Sequence, residues 1–116
     1  MEYTVIHNNT SVRLEEIARL NYEDFSELNT GLVRDHPERH CVNYFGYPAG
    51  NSILLICCMA DDATREIFVS SCMVLQQQQL EAMASQALCF ERFEREIHEN
   101  FGIAYGMGLT AEMVAR

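Results

Sequence analysis

The chain predicts an α+β domain of two layers, a mainly antiparallel sheet of about four strands packed against helices. Three observations carry this. Strand-sized apolar runs occupy residues 41–47, 53–59 and 67–74 in the middle of the chain. Helix-spaced apolar residues precede and follow them. The connections between the runs are too short for crossovers, so antiparallel hairpins are the natural joints.

Taken in order, residues 3–7 (YTVIH) are β-rich and read as a short first strand. Asn9, Thr10 and Ser11 then offer N-caps to a helix carrying Val12, Leu14, Ile17, Ala18 and Leu20, with Asn21 interrupting it. Tyr22, Phe25, Leu28, Leu32 and Val33 form a second helical set. It ends at His36-Pro37, because a residue before proline avoids the helical region. The first strand run closes on Pro48-Ala49-Gly50-Asn51, a turn-forming cluster. The second, ILLICCM, is apolar throughout and reads as a central strand covered on both faces. Asp61-Asp62 makes the next turn, and the third run follows.

From Gln76 the period is helical again, with the four glutamines as a solvated first turn. Leu80, Met83, Ala84, Ala87 and Leu88 form one stripe, and Phe90, Phe93, Ile97 and Phe101 another. The stripes do not join in phase, which predicts a bend or break near Cys89 and Phe90. Glu91 with Arg95, Arg92 with Glu96, and Arg95 with Glu99 are spaced as i,i+4 pairs, each worth a few tenths of a kcal/mol. Gly102 is placed to end the helix in a left-handed conformation.

A length of 116 residues suits one domain spanning 1–116, and a hydrophobic content of 48% supports a single modest core. The net charge is -9, and every cation is an arginine. That balance argues against nucleic-acid binding and against an anionic membrane surface. The longest apolar run, residues 53–60, is far too short to cross a bilayer, and the N-terminal MEYTVIHNNT lacks a secretory pattern. Cys41, Cys57, Cys58, Cys72 and Cys89 are odd in number and include no CxxC, which argues against a disulfide framework and for a cytoplasmic protein. Cys57, Cys58 and Cys72 lie in strand runs, where cysteine behaves as a small hydrophobe.

Reactive constellations are sparse. There is no phosphate-cradling glycine loop and no GxSxG elbow. His36 and His40 flank a loop beside Cys41, but a structural zinc site needs four ligands at recognised spacings. Asp61-Asp62 and Glu15-Glu16 read as solvated charge. No catalytic, metal or cofactor-binding residue is assigned on this basis.

One segment stands apart. Phe93-Glu94-Arg95-Glu96-Ile97 followed by Phe101-Gly102-Ile103 resembles the signature of the 30-kilodalton subunit family of respiratory complex I, the NADH dehydrogenase. The family includes the equivalent domain of membrane-bound [NiFe] hydrogenases of the formate-hydrogenlyase type. The likeness covers most of the chain in element order and about a dozen residues in identity. His98, Glu99 and Asn100 depart from the family pattern, and Met107-Gly108-Leu109-Thr110 replaces its usual Gly-His-Pro-Asp tail.

The resemblance implies an accessory docking domain that binds no cofactor. Its partner would be a catalytic large subunit, of the complex I 49-kilodalton type or of a [NiFe] hydrogenase. The domain would sit at the inner face of the cell membrane through that complex, without inserting. Phe93, Glu94, Arg95 and Glu96 would orient the helix, and Phe101, Gly102 and Ile103 would turn the chain onto the partner. Two other readings stand beside this one: a free-standing binding module, homodimeric through a strand edge, and a small cysteine- or histidine-dependent enzyme.

Overall fold

In the computed structural model, residues 4–7, 17–34, 36–76 and 78–106 are described. The elements are β1 (Thr4–His7), β2 (Ala18–Leu20), α1 (Tyr22–Arg34), β3 (Arg39–Ala49), β4 (Ser52–Asp61), β5 (Glu66–Leu75), β6 (Gln79–Glu81), α2 (Glu91–Phe101) and β7 (Ala104–Gly106). Among the described residues the fold is α+β, with a mainly antiparallel five-stranded sheet and two α-helices.

The three middle runs pair in chain order. β3 and β4 form a long hairpin whose two-residue turn puts Gly50 at φ 65°, a conformation glycine adopts without a Cβ penalty. β4 and β5 pair from Ser52↔Leu75 to Asp61↔Glu66. β4 is the central strand its apolar run predicts: Ile53, Leu55, Cys57 and Met59 are fully buried on one face, and Leu54 and Ile56 nearly so on the other. The turn after β4 is built by Asp61 itself, whose carboxylate accepts from the Ala63 and Thr64 amides at 2.9 and 3.1 Å. Arg39 Nε donates to the same carboxylate at 2.9 Å, and this pair holds the Asp61 carboxyl below its usual range.

The outer edge of β5 is shared. β1 runs antiparallel along Glu66 to Val69, and β2 runs parallel along Ser70 to Cys72. The two pieces meet where Ala18 N–H donates to Thr4 Oγ1 at 3.0 Å. The helix expected through Ala18 and Leu20 is therefore a strand over Ala18–Leu20, and residues 8–16 of that expectation lie outside the described residues. Three consecutive main-chain pairings with β5, backed by Ser71 Oγ–H donating to the Ala18 carbonyl at 3.0 Å, outweigh a short apolar periodicity. Asn21 starts α1 rather than interrupting a helix: its Oδ1 accepts the Asp24 amide at 2.8 Å.

Among the described residues, the helix expected from Gln76 to Leu88 is also absent. Gln79–Glu81 is a strand, and Met83–Ser85 and Leu88–Phe90 are separate 3₁₀ turns. β6 finds a parallel partner in β7, with Leu80↔Tyr105, a pairing no local signal announces. The break near Cys89 and Phe90 is where α2 begins.

Both helices pack on one face of the sheet, around Phe25, Tyr44, Leu55, Met83, Phe90, Ile97 and Ile103. A smaller apolar cluster of Leu54, Ile56 and Val69 occupies the opposite face. Among the described residues, no helix is long and apolar enough to cross a membrane.

Candidate functional site

α2 carries the segment singled out in the sequence, and its neighbours determine what that segment can do. Its helical residues face two ways. Glu94 and Ile97 are buried, as is Phe90 just before the helix, and Phe93 and Phe101 are half-buried, while Arg92, Arg95, Glu96, His98, Glu99 and Asn100 are exposed. Of the three expected i,i+4 pairs, Arg95 with Glu91 is formed on the exposed face. Arg92 lies over the Phe93 ring, 5.4 Å from its centre. The helix ends as expected: Gly102 sits at φ 72° and its amide returns to the His98 carbonyl at 2.9 Å. His98 Nδ1–H donates to the Ile103 carbonyl at 2.8 Å, closing the same end.

Glu94 is the exception on this helix. Only 4% of it is exposed, and its carboxylate accepts the Met83 amide at 2.7 Å and the Ala84 amide at 3.1 Å. Those amides open the 3₁₀ turn Met83–Ser85, whose N-cap residue Ala82 supplies no side-chain bond. Glu94 thus caps a turn that lies 11 residues before it in the chain. Burial pushes its carboxyl up to about 7, against the opposing pull of the two amides. Its partners are main-chain amides of this same chain, so Glu94 anchors the loop between β6 and α2.

The FGI segment is also seated internally. Phe101 lies against Gly46 of β3, and a Cβ there would come within 2.6 Å of its ring. Ile103 is fully buried. Gly102 turns the chain back onto its own domain, where Ala104–Gly106 becomes β7 beside β6. Gly46→Ala is therefore expected to drive the Phe101 ring from its seat and destabilise the domain by about 1–3 kcal/mol. Urea unfolding checks this; an unchanged midpoint would mean the ring swings aside freely.

A tyrosine network backs the helix, and sequence reasoning missed it. Tyr44 is buried and shares a hydroxyl–hydroxyl hydrogen bond of 2.9 Å with Tyr105. Tyr22 donates to the Glu81 carbonyl from α1. Burial pushes all three phenols above their ordinary range, so they serve as neutral hydrogen-bonding struts. No local pattern links residues 61 positions apart, as Tyr44 and Tyr105 are.

Arg34 donates to Gln86 Oε1 at 2.8 Å across an open groove of about 550 Å³ walled by Tyr22, Glu23, Glu27 and Glu81. Its carboxylates suit water or a basic group better than an anion. Among the described residues no group of three or more His, Cys, Asp or Glu is placed to hold a metal. His36 instead lies 3.2 Å from Glu38, and His40 lies 3.7 Å from Asp62.

The molecule so defined is a two-layer α+β domain with a charged helix face clamped from beneath. No protein-family model, curated protein or solved structure matches the chain.

Proposed function

We propose that this chain is a non-catalytic accessory subunit or domain of a complex I-like or [NiFe]-hydrogenase-like electron-transfer assembly of the formate-hydrogenlyase type. It docks on the catalytic large subunit, at the inner face of the cell membrane. The reading rests on one observation. The segment that resembles the family signature forms a helix whose exposed side is a row of arginines and carboxylates, Arg92, Arg95, Glu96 and Glu99. That row is held in fixed orientation by the Glu94 clamp and the Gly102 exit.

Arginine's planar fork suits paired recognition of carboxylates at an interface. A surface pair such as Arg95 with Glu91 adds little stability, so its charges are free to exchange for a partner's. Within this reading Arg95 and Glu96 make the contacts, while Glu94, Phe101, Gly102 and Ile103 position them. Phe93 sits between the two sets, half-buried under Arg92.

The test is co-purification with the cognate large subunit. A doubly substituted chain, Arg95→Ala with Glu96→Ala, is expected to fold normally and to lose at least tenfold in recovery relative to the wild type. Equal recovery of both folded forms would overturn the proposal.

A second reading has its own support. β3 ends the sheet among the described residues, and Val42 and Tyr47 on it are each 49% exposed. A long edge strand with apolar side chains can pair with a second copy of itself. Sedimentation of the isolated chain separates the two: a concentration-dependent dimer that survives the α2 substitutions favours the free-standing module.

A further inference from the structure

The sheet has a second face, and its side chains are unlike those of the rest of the surface. The helices cover the face that carries Ile53, Leu55 and Cys57. By strand alternation Phe45 and Tyr47 of β3, Leu54 and Ile56 of β4, and Met73 and Leu75 of β5 point to the other. They form rows across the strands: Phe45 beside Ile56, Tyr47 beside Leu54 and Met73, and Leu75 beside Ser52 at the hairpin end. Leu54 and Ile56 are buried among their neighbours, but Phe45, Tyr47 and Met73 are each more than a third exposed and Leu75 is 63% exposed. The exposed apolar side chains therefore share one side of the sheet in a single patch, instead of being scattered singly.

Charge is missing from this patch in a chain that is rich in it. The chain carries 17 carboxylate residues and a net charge of -9, yet residues 40–60 and 67–80, which supply the patch, contain no Asp, Glu, Lys or Arg. Among the described strand residues, the register assigns this face no carboxylate and one arginine, Arg19 of β2, opposite Ser71. A second copy of this chain brings a large negative charge to any surface it approaches. Here it meets no carboxylate, and the one ion beside the patch is a cation. A partner recognised through ion pairs would need charges that this face lacks. Depletion of charge with enrichment in aromatic side chains and Met marks the cores of protein interfaces, and those of homodimers are the more apolar. The strand edge offers less. Pro48 has no N–H for a pairing strand, and a register shift between Cys41 and Asn43 interrupts β3 near its other end.

We infer that two copies of this chain pack face to face through Phe45, Tyr47, Met73 and Leu75, forming a symmetric sandwich of their two sheets. Stacked sheets lie about 10 Å apart with strands within roughly 30° of alignment, so the side chains of one copy seat between those of the other. Two-fold symmetry sets the same patch on both sides of the contact. This dimer is the self-association of the second reading above, with its contact on the sheet face instead of the strand edge. Both helices lie on the far side of each sheet, so the α2 row of Arg92, Arg95, Glu96 and Glu99 stays outward in the dimer and docking through it is not blocked. Four partly exposed side chains supply less than the roughly 800 Å² per partner of a standard stable interface, so the dimer dissociates in the micromolar range.

Sedimentation equilibrium of the full chain, with a reductant present and over about 1–300 µM, tests this. The wild type should dimerise with a Kd of about 10–100 µM. Leu75→Glu is the discriminating variant: β5 lies two strands from the β3 edge, about 9–10 Å away, so an edge-paired dimer would not sense it. Leu75→Glu and Tyr47→Glu should each raise the Kd by about tenfold or more, because each would bury a carboxylate against an apolar surface. Arg95→Ala with Glu96→Ala should leave it unchanged. Both patch positions are exposed, so the variants should keep the wild-type urea midpoint. Should Leu75→Glu lower that midpoint, Leu75→Gln takes its place with a smaller rise in Kd expected. A wild type that stays monomeric throughout would overturn the face contact and the second reading together. A dimer that persists undiminished in the folded Leu75 variant would overturn the face contact alone and leave the edge dimer standing.

Discussion

Phe90→Ala will cost about 3–5 kcal/mol, the largest loss expected from any single truncation near α2. Phe90 is fully buried and stands edge-on to Tyr44, with ring centres 6.3 Å apart at 90°. Tyr44 in turn meets Phe25 at 5.8 Å, so one aromatic row joins α1, β3 and the start of α2. Removing the last ring leaves a cavity and forfeits an edge-to-face contact worth about 0.5–1.5 kcal/mol by itself. A loss of this size is a large share of the roughly 5–15 kcal/mol that holds a small domain together. Phe90→Leu keeps most of the volume and should cost less than half as much. Chemical denaturation gives both values, and amide exchange should quicken first over residues 91–101. A Phe90→Ala protein within about 1 kcal/mol of the wild type would show that α2 is not anchored through this ring.

Glu94 carries the second large effect, and its dependence on pH identifies the cause. Glu94→Ala leaves the buried Met83 amide unpaired and should destabilise the domain by about 2–3 kcal/mol. In the folded chain burial raises this carboxyl from 4.5 to about 7, so the folded state binds a proton more readily than the unfolded one. The associated stability is fully present below about pH 4.5 and is lost as pH rises through about 7. The loss amounts to at most about 3 kcal/mol. Glu94→Gln does not titrate, so the wild type should lose stability relative to it across that window. The two curves should run parallel above pH 8 and below pH 4. A pH-independent difference would mean the carboxylate is better hydrated than its surroundings suggest.

These two residues show what could be read in advance. Phe90, Ile97 and Phe101 announce the buried stripe of α2 by spacing alone, and Gly102 announces its end. Glu94 falls on that same stripe, four residues after Phe90 and three before Ile97. An acid in an apolar stripe was the available signal for a buried, main-chain-bound carboxylate. Grouping it with Arg95 and Glu96 as one charged motif concealed that signal, because Arg95 and Glu96 point the other way. The cysteines divide in the same way. Cys57 and Cys72 are buried, as their strand runs imply, with the Cys72 thiol pushed up to about 12. Cys58, from the same β4 run as Cys57, is only half-buried.

The sequence by itself determined the antiparallel meander of β3, β4 and β5, the two helices α1 and α2, and the layered α+β class. Each of these is written in neighbouring residues: a period of two or of 3.6, a cap, a glycine, a proline. Only the tertiary structure decided that Ala18–Leu20 and Gln79–Glu81 would be strands, that β7 would return beside β6, and that Glu94 would cap a distant turn. Short segments of three residues have too little local preference to choose a conformation. Their main-chain groups take whatever partner the folded sheet and helices present, and that partner is set by contacts between residues far apart along the chain.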